Sequence, residues 1–278
     1  MNVFQETGLI AAREIRKNIR SAKGLVMVII SMLGGVATAL LLQKLRAMDE
    51  AQISPEQLHA LQQAMLEKKY GDLEMAKYLA SAPPVLLALL LATVWLNPGL
   101  VAVMGFDGIS GELQHRSVRY WTVRSRRVSY FAGKFLGLWA VISIVTFVMH
   151  ALIWGLTMWN NKGGMPPADT LLWGIRFWAV TLPISAAWCG IATLIGSQFR
   201  APMIALLVTF ATFFVLWICD AIGEIGNIKF LTYLYPNTYD AWLLSPKFDK
   251  VALGALICMA FGVVTTGAGT FLFTRRDV

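Results

Sequence analysis

A chain of 278 residues that is 57% apolar and only 14% charged lies outside the composition of a soluble domain. Its mean hydropathy of +0.61 marks a polytopic membrane protein. The net charge of +8 does not point to nucleic acid, because the basic residues stand in short clusters flanking apolar runs, where topology-setting charge belongs.

The first 23 residues are polar and basic and show no cleavable signal pattern, so the N-terminus is expected to stay inside. Residues 6–20 place Leu9, Ile10, Ile15 and Ile19 on one face, with Arg13, Arg16, Lys17 and Arg20 largely on the other. That pattern predicts an amphipathic helix in the membrane interface. Residues 24–42 are apolar over the length that crosses a bilayer and form the first span, with Gly34 and Gly35 offering a close-packing face. The mixed-charge stretch 43–82 is read as an outer loop that becomes helical after Ser54-Pro55.

Residues 83–106 make the second span, and an interruption is expected within it at Asn97, Pro98 and Gly99. The break reads either as a hinge or translocation-path lining, or as a packing kink. Residues 107–133 form the one large cytoplasm-type loop. An acidic turn (Asp107, Gly108, Gly111, Glu112) is expected to start a short helix there, followed by Arg116, Arg119, Arg124, Arg126 and Arg127.

The third span covers 134–158 and contains His150, read as a hydrogen-bonded interfacial residue. The fourth covers 170–196, with Arg176 as a snorkelling anchor and Trp159, Trp173 and Trp178 as an interfacial belt. After a tight inner turn, the fifth covers 201–219. The segment 220–250 holds only short apolar pieces and reads as re-entrant or interfacial on the outer face. The sixth span, 251–273, carries Gly262, Gly267 and Gly269 for close contacts. Cys189, Cys219 and Cys258 fall in or beside apolar runs without metal or redox spacing and read as small core residues.

Charge tests this topology. The proposed inner segments carry 14 lysines and arginines with five acidic residues, whereas the outer segments carry nine with 11 acidic residues. Six transmembrane helices with both termini inside follow. No GxxxxGK[ST] loop, HExxH or GxSxG occurs, and no carboxylate pair lies within a span, so neither ATP binding by a phosphate loop nor an intramembrane enzyme is supported.

The run from Ile109-Ser110-Gly111-Glu112 to Arg119, then Arg126-Arg127 and Gly133-Lys134-Phe135-Leu136-Gly137, resembles the loop between helices 2 and 3 of ABC-2 type transporter permeases. The N-terminal helix is similar to that family's elbow helix, with Arg13-Glu14 at its Arg/Lys-Glu pair. Six spans, a broken outer segment before the last and an Arg-Arg-Asp ending agree. Departures are Arg116-Ser117-Val118, where Gly-Thr is frequent, and Val123 to Arg127, which lacks the frequent Pro.

The resemblance implies an all-α integral membrane protein with an elbow helix and a cytoplasmic coupling helix between spans 2 and 3. It implies a bacterial inner-membrane permease with no cofactor of its own, partnered by a cytoplasmic ATP-binding cassette subunit that carries ATP and magnesium. A second copy, making a homodimer, or a related permease completes the export machine. Docking of the ATPase subunit would fall on Asp107, Gly108, Ser110, Gly111 and Glu112. Arg116 and Arg119 stand beside them, as contacts or as plain topology charge. On this reading Glu112→Lys should lower ATPase association and leave insertion and abundance unchanged. A non-transporting membrane anchor or sensor that recruits a soluble partner is the alternative.

Overall fold

A computed structural model describes residues 2–49, 55–118, 120, 125–159 and 166–275. Among them the chain is all helix and turn: α1 Val3–Arg20, α2 Ala22–Asp49, α3 Pro55–Tyr70, α4 Leu73–Ala80, α5 Pro84–Gly105, α6 Ser110–Gln114 and α7 Arg127–Trp159. Then come α8 Pro167–Gln198, α9 Pro202–Gly226, α10 Lys229–Thr232, a 3-10 turn Pro236–Tyr239, α11 Asp240–Leu243 and α12 Phe248–Thr274. Five helices (α5 with α6, α7, α8, α9 and α12) are each long and apolar enough to cross a membrane; α1 and α2, bent by 68°, supply a sixth if taken as one span.

The bend has a local cause. Asn2 and Gln5 form a capping box that starts α1, and Ser21 ends it in an extended conformation. The Ser21 hydroxyl then accepts from the Gly24 N–H at 3.0 Å, so one residue closes α1 and caps α2.

α8 is the centre of the bundle, with 83% of its apolar window buried against α5, α7 and α12. α8 and α12 touch backbone to backbone, since a Cβ on Gly262 would lie 2.5 Å from the Ala186 carbonyl oxygen and one on Gly190 2.5 Å from the Gly262 carbonyl. Gly269 also approaches α8, whereas Gly267 faces open space. α9 is its opposite, only 17% buried, with Leu207, Phe214 and Trp217 turned outward into an apolar medium.

Several sequence expectations are corrected. α5 runs unbroken through Asn97, Pro98 and Gly99. Proline removes the N–H that would bond the carbonyl four residues back, here Val94, and the Asn237 amide of the outer segment donates to that carbonyl at 2.9 Å. Asn97 in turn donates to the Ser185 hydroxyl at 2.8 Å, which ties α5 to α8 at this level. α7 begins at Arg127, which puts Lys134 two turns inside the helix. α9 continues to Gly226, so Asp220 and Glu224 belong to it.

His150 is hydrogen-bonded, its Nδ1 2.8 Å from the Thr146 carbonyl oxygen, and it is fully buried among the helices. Arg176 is anchored at the opposite end from Lys134: it donates to the Ser245 carbonyl at 2.8 Å and stacks over Tyr78 at 4.7 Å. The same end is tied by Lys69, which donates to Asp240 at 3.2 Å. Arg119, Arg124 and the closing Arg276-Asp277 lie outside the described residues.

Candidate functional site

The residues around the turn after α5 converge on one lysine. Gly133 and Gly137 leave a flat strip on α7 into which α1 sits. A Cβ on Gly133 would fall 2.6 Å from the Ile10 Cβ, and one on Gly137 2.6 Å from the Glu14 Cβ. The i, i+4 spacing on both helices makes this a close crossing, and it delivers Glu14 to Lys134.

Lys134 Nζ donates to Glu14 Oε1 at 2.6 Å, to Glu112 Oε1 at 2.6 Å and to the Gly108 carbonyl at 2.8 Å. All three ammonium protons are therefore placed. Glu112 Oε2 accepts from the Tyr130 hydroxyl at 2.7 Å, and Arg13 lies 3.9 Å from Oε1 on the outer rim. The side chains of Lys134, Glu14 and Glu112 are 4%, 3% and 9% exposed. The two carboxylates withdrawn from water in this way depend on their shared ammonium group, because a buried charge is costly without a partner.

Beside them lies a cavity of about 20 Å³, room for a single water, with Glu14, Asn18, Lys134 and Thr193 on its polar side and Met104, Ile109, Leu138 and Ala192 on its apolar side. Ile109, Leu113, Val118, Tyr130, Phe131 and Phe273 form a separate small apolar core beneath the turn.

The turn is stapled at its other points too. Asp107 pairs with Lys23 at the start of α2, and Lys23 also donates to the Met104 carbonyl at 3.0 Å. Ser110 is buried, its hydroxyl donating to the Phe106 carbonyl. At the start of α7, Glu6 accepts from the Arg126 backbone N–H at 3.3 Å. That bond holds its carboxyl below the ordinary carboxylate range.

The short helix itself differs from expectation. α6 has only five residues, and neither Asp107 nor any other side chain caps it. It ends in a Schellman motif, with Arg116 N–H donating to Leu113 O at 3.2 Å and Ser117 N–H to Glu112 O at 3.0 Å. Arg116 occupies the left-handed position at φ +55°, where glycine is the usual occupant.

The structure thus divides the expected docking set. Asp107, Gly108, Ser110 and Glu112 are engaged within the chain, Gly111 is half-buried on the turn, Arg116 is exposed and Arg119 lies outside the described residues. Glu112 faces Lys134 and Tyr130, so reversing its charge strikes the fold first; abundance would not be spared. Among the described residues of the turn, Gln114, His115, Arg116 and Tyr120 are exposed. Sequence reasoning missed Glu14, Lys134 and Tyr130 as one group, although the Gly133-to-Gly137 spacing flanking Lys134 was the available signal.

A bundle with five or six helices long and apolar enough to cross a bilayer is a multi-span membrane protein in class. The sequence model of the family described as ABC-2 family transporter protein matches residues 9–278, and the chain belongs to that family. Among curated proteins the chain has no match.

Proposed function

We propose that the chain is the permease subunit of an ATP-driven exporter in the bacterial inner membrane, with both termini cytoplasmic. It works as two copies, or with a related permease, on two separate cytoplasmic ATP-binding subunits that supply ATP and magnesium. The family membership supports a permease, and the excess of basic residues on the segments holding the turn supports its cytoplasmic placement.

The observation that carries the mechanism is the three-way bonding of Lys134. A push on the 107–116 turn from an ATPase subunit reaches α1 through Glu14, α7 through Lys134 and α2 through Asp107–Lys23, because these groups are bonded to one another. Such a push shifts the bundle only if the two conformations bind the ATPase differently. Gln114, His115, Arg116 and Tyr120 supply the contact, with Arg119 next to them. Asn97, Pro98 and Gly99 lie in the unbroken, cross-bonded α5, which supports a packing role for them over a hinge.

The test is purification of the tagged chain from native membranes in mild detergent, with identification of co-purifying proteins and an assay of vanadate-sensitive ATP hydrolysis. Recovery of an ATP-binding subunit whose activity depends on this chain is the expected result. Recovery of the chain with a soluble partner lacking ATPase activity would replace the permease by the anchor.

A further inference from the structure

At the end of the bundle far from Lys134, α8 and α12 separate. They are in backbone contact at Ala186, Gly190 and Gly262, and beyond Pro183 and Met259 the gap between them widens into a groove of about 500 Å³, open on one side. Its walls are apolar: Trp139 of α7, Val180 and Pro183 of α8, and Val251, Ala255 and Met259 of α12. The indole N–H of Trp139 is spent on the Leu182 carbonyl at 2.9 Å, so the ring offers the groove only its apolar surface.

From Phe248 to Met259 the α12 wall is 12 residues, and the 11 rises between its ends at about 1.5 Å each make a slot of about 16 Å running along the bundle. One cation stands in it, at the end toward the outer segment. Arg176 lines the groove, is partly exposed and is fixed there by the Ser245 carbonyl and by stacking on Tyr78. A guanidinium carries five N–H donors, and it prefers phosphate in forked geometry.

We infer that this groove is a binding site for a bilayer phospholipid, with one acyl chain lying along Val251, Ala255 and Met259 and the headgroup phosphate on Arg176. Three features select this occupant. The slot is elongated and apolar, as an acyl chain requires. Its charged group stands at one end only, at the level of the outer segment where headgroups lie, given the topology set by the charge count. The medium facing an opening between membrane helices is itself lipid. The inference rests on the membrane placement of the bundle and is independent of any ATPase partner.

The chain, solubilised in mild detergent, is incubated with phosphatidylglycerol bearing a diazirine on its acyl chain, irradiated, and the adducts are mapped by peptide mass spectrometry. Adducts are expected to concentrate on peptides containing Trp139, Val180 to Pro183 and Val251 to Met259. Ala255→Trp, which fills the slot, should lower that labelling at least severalfold. Arg176→Gln should lower it less for the phosphatidylglycerol probe and not at all for a diacylglycerol probe lacking phosphate. Competition by unlabelled phosphatidylglycerol on the unaltered chain gives a readout that does not depend on a variant folding. Labelling spread evenly over the exposed faces of α9 and α12, with no competition and no loss in Ala255→Trp, would overturn the site. Equal labelling by the two probes, unchanged by Arg176→Gln, would overturn the phosphate contact.

Discussion

Replacing Lys134 by Met keeps the length and apolar stem of the side chain and removes only the ammonium group. Glu14 and Glu112, both buried, are then left side by side without their shared cation, and the Gly108 carbonyl loses its donor. Breaking a buried pair by removing one partner costs about 3–5 kcal/mol, close to a thousandfold in the folding equilibrium at about 1.4 kcal/mol per decade. Glu14→Gln is the contrast. It leaves Lys134 and Glu112 as a neutral one-to-one pair, with Tyr130 still bonded, and costs about 1 kcal/mol. The triple variant K134M/E14Q/E112Q carries no buried charge and should recover at least half of the loss. Thermal melting in mild detergent, with membrane abundance by immunoblot, gives the order: Lys134→Met far below wild type, the triple variant intermediate, Glu14→Gln nearest to wild type. If Lys134→Met melts together with wild type, the three charges do not act as a unit, and the transmission path proposed through them fails.

Glu112→Lys sets two ammonium groups against Glu14 and should reduce abundance as severely as Lys134→Met; normal abundance by immunoblot would show that Glu112 faces outward after all. Arg116→Gly relieves a left-handed arginine and should be neutral to about 1 kcal/mol stabilising, yet should lower recovery of the ATPase subunit in the pull-down. Reduced melting temperature would remove Arg116 from the left-handed position. Asn237→Ala strands the Val94 carbonyl and the Trp188 indole N–H, at about 1–3 kcal/mol for each buried group. In a Pro98→Ala background the restored N–H bonds Val94, so Asn237→Ala should cost measurably less there; an equal cost in both backgrounds refutes the pairing.

Asp240 provides the pH test. Burial raises its carboxyl above the ordinary value despite the opposing Lys69, so the folded state favours the protonated form. The stabilising effect of protonation is full below the unfolded value and is lost as pH rises through the folded one. Asp240→Asn should therefore gain on wild type in melting temperature between pH 4 and neutrality, and a gap that stays constant or narrows would be evidence against it.

The spans were legible because apolar runs of bilayer length admit few other readings, and α1 because its charged and apolar residues separate cleanly at helical period. Pro98 was not. A proline in a span predicts a break only while the freed carbonyl lacks a donor, and here the donor is 143 residues away in sequence. Glu112 was misread for a related reason: a carboxylate opening a loop looks the same whether it faces solvent or a buried lysine. Only the crossing of α1 over Gly133 and Gly137 decides which, and that crossing is a tertiary fact. α9 was cut short because Asp220 and Glu224 look like a boundary, although the helix continues to Gly226 and Asp220 accepts a bond from Thr238 at 3.0 Å.

The bond from Asn237 to Val94 also sets an order of events during biosynthesis. At about 5–20 residues per second, the ribosome takes roughly 7–30 s to travel from Val94 to Asn237. Until Asn237 has been made, the Val94 carbonyl lacks the donor that the folded chain gives it. The second span is thus finished only when the segment before the last one docks, and a truncation anywhere between them leaves the nascent chain marked by an open acceptor at the middle of the helix.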